Sequence, residues 1–237
     1  EPMIKKQLSL LAITLLFTSL SYAQNSMYLA YEFQAKTGSE STIAQLLTTY
    51  HNEVGAYKSG GFDVTRFDLN GPDEGTHRVL IYGDMDNFGL ENQSTMIGLQ
   101  FELLQEKLND HIEKGTRSEG GYLLAENGNE FDGYPYRAEW RLNVSDPATY
   151  ASSFIKFMNS DEVLSIMNER PLELGSVAGG MTGETHWVYA GFENIIDYMT
   201  TMQLIYASDA FQVHQEEASG TFTLMREFTE TNLATFN

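Results

Sequence analysis

The chain has 237 residues, with 14 lysines and arginines against 33 aspartates and glutamates, a formal charge of −19. Its hydrophobic share of 42% is that of a globular protein, neither disordered nor fibrous. The acidity argues against nucleic acid and anionic membrane surfaces as partners, and the lack of cysteine excludes disulfides, thiolate metal sites and thiol catalysis.

Residues 1–23 read as an address. Met3 reads as the initiator, with Glu1-Pro2 an addition in front of it. Lys5 and Lys6 make a basic n-region, Leu8 to Leu20 is mostly apolar, and Ser21-Tyr22-Ala23 has small residues where a signal peptidase cuts. The apolar run is shorter than the roughly 20 residues of a spanning helix, and no second run of membrane length follows. The expected product starts at Gln24, is periplasmic or secreted, and has 12 basic and 32 acidic residues.

The elements follow in order. Met27 to Gln34 alternates and is rich in aromatic residues, which predicts a strand. Ser41 to Tyr57 places Ile43, Leu46, Leu47 and Tyr50 on one helical face, and Gly60-Gly61 ends the segment. Phe62–Leu69 and Arg78–Tyr82 read as strands around the turn residues 70–75, Ile97–Glu113 as a helix ended by Gly115, and Tyr122–Glu126 as a strand. After a polar, Gly-rich linker at 129–133, Tyr136–Asn143 reads as a strand. Asp146-Pro147 then supplies an N-cap and a first helical residue. That helix runs to about Met158, and a short one spans Asp161–Glu169. Strands are expected at Ser176–Met181 and Thr185–Gly191. A helix follows from Ile195 to about Glu217, with a break near Ser208-Asp209, and Thr221–Phe228 reads as the closing strand.

The two halves repeat. Thr76-His77-Arg78-Val79 returns as Thr185-His186-Trp187-Val188 at an offset of 109, and Leu29, Tyr31 and Phe33 match Ala138, Trp140 and Leu142 at the same offset. Strand-helix-strand-strand-helix-strand, twice, is the ferredoxin-like order. The fold class expected is therefore α+β: two tandem ferredoxin-like units, 24–128 and 134–237, whose antiparallel sheets face each other within one chain. Such a pair resembles the dimeric α+β barrel superfamily of antibiotic-biosynthesis-monooxygenase-like and stress-responsive barrel domains. Ser208-Asp209-Ala210-Phe211-Gln212 is similar to a segment in the last helix of those domains. The resemblance implies a fold; its members include cofactor-independent oxygenases, haem-degrading or haem-binding enzymes, isomerases and proteins with no known activity, and fold does not choose among them.

Strand alternation assigns faces. Leu29, Tyr31, Phe33, Ala138, Trp140, Leu142, His77, Val79, Ile81, His186, Val188 and Ala190 should lie under the helices. The intersheet space then holds Glu32, Arg78, Tyr82, Glu139, Arg141, Trp187 and Tyr189, which are the candidate ligand-binding residues. Buried charges must be paired or wet. Arg78 and Arg141 either pair with Glu32 and Glu139 as ion pairs bridging the sheets, which is the favoured reading, or line a pocket.

His77 and His186 are repeat equivalents. His111 and His214 are expected late in the second helices, so each pair should meet as a weak metal candidate, with a structural role favoured because no third ligand is fixed by spacing. His51 is expected on a solvated helix face. There is no dinucleotide or phosphate loop, nucleophile elbow or zinc-protease helix. Gly60-Gly61 and Gly179-Gly180 read as strand entries, and no cofactor is expected. Two functions stay open. One is an exported binding or accessory protein holding a small apolar or aromatic ligand between its sheets, a monomer with an internal pseudo-twofold. The other, implied by the resemblance, is an oxygenase-like or haem-binding enzyme in which Tyr82, Tyr189, Trp187 and Arg78 orient a phenolic substrate.

Overall fold

In each half an alternating strand leads into a helix, and the pattern closes on a long strand. The computed structural model describes residues 25–73, 75–91, 94–180 and 183–237. The leader read at 1–23 and the cleavage site before Gln24 lie outside them. The first half contains β1 (Ser26–Ala35), α1 (Glu40–Val54), β2 (Gly61–Leu69), β3 (His77–Asp84), α2 (Thr95–Asn109) and β4 (Ile112–Glu126). The second contains β5 (Tyr136–Val144), α3 (Pro147–Met158), α4 (Asp161–Met167), β6 (Leu172–Gly179), β7 (His186–Phe192), α5 (Ile195–Ala207), α6 (Asp209–Glu217) and β8 (Phe222–Phe236).

The strands form a closed antiparallel barrel in the order β1-β3-β2-β8-β5-β7-β6-β4. Within it, β4-β1-β3-β2 and β8-β5-β7-β6 are two ferredoxin-like sheets, so the expected α+β class holds. The two sheets are joined edge to edge through their longest strands. Ile112–Tyr122 of β4 pairs with β1 while Gly120–Glu126 pairs with β6. Phe222–Thr231 of β8 pairs with β5 while Thr229–Phe236 pairs with β2. Every strand therefore has two neighbours and no edge is left to aggregate.

These long strands correct the sequence reading. The predicted fourth strand began at Tyr122 and the predicted helix ran to Glu113, whereas β4 begins at Ile112 and α2 ends at Asn109. The stretch from Ile112 to Gly121 holds three glycines and little apolar alternation; its strand is imposed by pairing with β1. His111 consequently sits between α2 and β4, not in the helix. Likewise β8 runs on to Phe236, which stacks on His51 at 4.4 Å between centroids. His51, expected in solvent, is 5% exposed for that reason.

Helices cover the outside. Ile43 and Leu47 of α1 and Leu104 of α2 pack with Phe33, Phe62 and Val64 over the first sheet. Tyr150, Phe154 and Phe157 of α3 and Ile205 of α5 pack with Ala138, Leu142, Leu174 and Val188 over the second. Asp146 caps α3 by accepting from the Thr149 amide at 3.2 Å. The break near Ser208 is real: its hydroxyl accepts from the Phe211 amide at 3.1 Å and starts α6.

The two halves share a hydrogen-bonding pattern. Thr76 Oγ1 accepts from the Ala35 amide at 2.8 Å and lies 2.9 Å from His77 Nδ1. Thr185 Oγ1 accepts from the Val144 amide at 2.9 Å and lies 2.9 Å from His186 Nδ1. No helix among the described residues is long and apolar enough to cross a membrane.

Candidate functional site

The barrel interior is a network of charges. Five arginines, Arg78, Arg117, Arg137, Arg141 and Arg226, point inward from β3, β4, β5 and β8; four of them meet carboxylates from other strands, and Arg117 meets Glu119 on its own strand and Glu184 in the loop before β7. Arg78 spans Glu139 on β5 and Glu230 on β8. Arg141 joins Glu119 on β4 to Glu139. Arg137 donates to Asp63 of β2 at 2.6 Å, and Arg226 donates to Glu32 at 2.9 Å. Tyr189 Oη donates to Glu230 at 2.6 Å, and Thr65 Oγ1 to the same carboxylate at 2.7 Å. Burial pushes the Glu139 carboxyl up, but Arg141 and Arg78 outweigh it and hold it below the ordinary range. Burial would lower the Arg78 guanidinium, and Glu139, Glu230 and Tyr189 reverse that and raise it. The ion pairs expected between sheets thus exist with one exchange of partner: Glu32 serves Arg226, not Arg78 or Arg141.

At one end of the barrel this network leaves a cavity of about 430 Å³, within the range of small-molecule sites. Arg78, Tyr82, Glu139, Arg141, Trp187 and Tyr189, all candidates from the sequence, line it, and Glu32 does not. Glu32 lies toward the other end of β1, at the register of Arg78 on β3 and Arg117 on β4. Tyr28 stands edge-on to Trp187 at 5.4 Å. Gly175 on β6 makes room for the indole, since a Cβ there would lie 2.0 Å from a ring carbon.

Several lining residues were not singled out from the sequence: Tyr28, Asp63, Glu126, Phe131, Arg137 and Glu173. Arg137 shares its face with Glu139 and Arg141 by simple alternation and was legible. The segment read as a polar linker supplies the rim. Phe131 tilts against Tyr189 at 5.0 Å and takes the Arg137 guanidinium on its face at 4.9 Å. Asn127 and Asn129 donate to the Arg170 carbonyl at 2.8 and 3.2 Å and pin this rim to the loop before β6. Glu173 was missed because β6 starts at Leu172, not at Ser176. Its carboxyl keeps some access to solvent through the mouth, yet its surroundings push its pKa up to about 8. Burial is the main cause, Glu126 adds to it, and Arg137 opposes it. A carboxyl that titrates near neutrality inside a cavity has the property needed of a proton donor or acceptor.

A second cavity of about 350 Å³ lies between the second sheet and its helices. Trp140, Leu142, Phe154, Phe157, Met202 and Phe211 are part of its largely apolar wall, and His214 is its basic group. Here the histidines can be placed. His214 Nδ1 lies 2.8 Å from Ser153 Oγ, which leaves Nε2 without a hydrogen bond, and burial lowers its pKa to about 4. His186 and His214 both pack around Tyr150, at 6.4 and 5.6 Å between centroids. In the first half His77 stacks on Phe33, and His111 Nδ1 lies 3.2 Å from Ser39 Oγ. Among the described residues no group of three histidines or carboxylates is placed to hold a metal.

A haem, one ligand the resemblance implies, needs an axial nitrogen and an apolar slot. His214 Nε2 and this second cavity fit both needs. No lysine or arginine lines the wall, so the haem carboxylates would have to face the opening.

Comparison with solved structures supports the fold. The chain is similar to a protein of Fusobacterium nucleatum described as a proposed monooxygenase, with a TM-score of 0.59 at 13% identity, covering 91% of this chain and 95% of that one. It is also similar to a proposed monooxygenase of Lactobacillus acidophilus, with a TM-score of 0.57 at 10% identity over 90% and 96%. A mutant chlorite dismutase of Candidatus Nitrospira defluvii gives 0.51 at 11% identity over 90% and 94%. No family model and no curated protein sequence matches. At these identities the likeness shows a shared α+β barrel fold and carries no residue roles.

Proposed function

We propose that the chain is an exported small-molecule-binding protein that takes its ligand into the barrel-end cavity. The observation that carries this reading is the 430 Å³ space left inside the charge network of the barrel, walled by Tyr28, Tyr82, Trp187 and Tyr189. A barrel needing only structural ion pairs would fill that space with side chains. In this reading the leader at 1–23 is removed, 24–128 and 134–237 are the two units, and residues 129–133 are both linker and rim. One chain supplies both sheets, so the protein works as a monomer. The test is a cavity-filling variant, Leu80→Trp. Small phenols should bind the wild type and lose binding to the variant, with the circular dichroism spectrum unchanged. Equal binding to both would refute the site. Consumption of oxygen with the bound phenol would move the reading to an oxygenase, with Glu173 as proton acceptor.

A second reading is favoured by the free Nε2 of His214 in an apolar cavity. There His214 would hold a haem, with Phe154, Phe157 and Phe211 around the ring. When bound, haem supplies redox chemistry. Ser153 would fix the orientation of the imidazole. Added haem should then give an absorption band that His214→Ala abolishes; an unchanged band in the variant would reject the assignment.

A further inference from the structure

The carboxylates lining the barrel cavity fall into two sets. Asp63 is held by Arg137, and Glu139 by Arg78 and Arg141. Asp84, Glu126, Glu130, Asp132 and Glu173 line the same cavity and form no ion pair among the described residues; Asp84 accepts from Ser26 Oγ at 3.4 Å. Glu126 and Glu173 are direct partners across the β4–β6 pair. Like charges so placed repel, and folding alone gives no reason to put them there.

The rest of the wall indicates what would answer them. Five aromatic rings line it: Tyr28, Tyr82, Phe131, Trp187 and Tyr189. Two of these already take guanidinium groups on their faces, Arg137 over Phe131 at 4.9 Å and Arg78 over Tyr189 at 5.4 Å. Arg137, 3% exposed, carries an N–H with no acceptor at Nε. The carboxylates are not arranged as a metal cage. Unpaired anions, aromatic faces and one idle donor together suit an organic cation that also carries an oxygen.

We propose that the cavity binds a small aromatic ammonium ion, its nitrogen between Glu126 and Glu173 and its ring against Trp187 and Tyr189. This rests on the reading of the barrel cavity as the ligand site. Because the cation favours the ionised Glu173, affinity should rise with pH through about 8. The groups facing Glu173 are Glu126 on β4, Glu130 in the rim, and Arg137 and Glu139 on β5; Tyr189 on β7, its pKa raised by burial, stays protonated.

The test uses the processed full chain at pH 8.5 and three probes sharing one ring: 4-hydroxyphenethylamine, neutral 4-ethylphenol and anionic 4-hydroxyphenylacetate. Calorimetry should show the amine binding at least ten-fold tighter than the phenol, and the acid not at all. Glu173→Gln and, separately, Glu126→Gln should each weaken the amine at least five-fold and leave the phenol unchanged. Equal binding of amine and phenol, amine binding indifferent to both substitutions, or calcium ions alone binding as well as the amine would each overturn the cation assignment and leave the cavity reading standing. Failure of all three probes would overturn both.

Discussion

Replacing Arg78 with methionine tests the charge network at its centre. The arginine is 2% exposed and spans Glu139 and Glu230. Without it Glu139 keeps Arg141, but Glu230, fully buried, keeps only the neutral donors Thr65 and Tyr189. One uncompensated buried carboxylate costs about 3–5 kcal/mol. For a chain of this size that is a fall of roughly 6–20 °C in melting temperature. Adding Glu230→Gln removes the orphaned charge and should recover about half of the loss. The exposed pair Lys156–Glu217, 3.1 Å apart, is the control, and Lys156→Ala should change stability by about 0.5 kcal/mol or less. Urea unfolding of the four proteins at pH 7 measures all of this. A loss under about 1 kcal/mol for Arg78→Met, or an equal loss with and without Glu230→Gln, would show that the interior is wet and the pairs are idle.

Glu173→Gln should stabilise the fold at pH 8–9 and be neutral near pH 4.5. A carboxyl whose folded pKa is raised to about 8 destabilises the native state as pH climbs from its ordinary 4.5, which thermal melts across pH would follow. His51 and His214 act in the opposite pH range. Burial lowers both to about 4, so the unfolded chain binds more protons below 6.5, and the urea midpoint should fall as pH drops from 6.5 toward 4. Gly175→Ala would drive a methyl into Trp187; a loss of about 1–3 kcal/mol is expected, with a shifted tryptophan emission, and an unshifted emission would disprove the packing.

The fold class was legible because the apolar periods repeat: Phe33 and Leu142, His77 and His186 occupy equivalent places in both sheets. The caps at Asp146 and Ser208 were legible because their chemistry is local. The first ten residues of β4 were not, because Gly115, Gly120 and Gly121 are in a strand only through the partner they pair with. The site was legible where alternation marks it, at Arg78, Tyr82, Glu139, Arg141, Trp187 and Tyr189. It was obscured where closure of the barrel sets the neighbours. Glu32 meets Arg226, 194 residues away, and Phe131 comes from a segment whose composition says only linker.

The chain has two tryptophans, and each borders a different cavity: Trp187 the barrel interior, Trp140 the apolar space under the second unit's helices. Their indole N–H signals in a proton–nitrogen correlation spectrum therefore report the two sites separately. Titration with 4-hydroxyphenethylamine should move the Trp187 signal and leave Trp140 in place. Movement of Trp140 with Trp187 unchanged would contradict the barrel cavity as the ligand site.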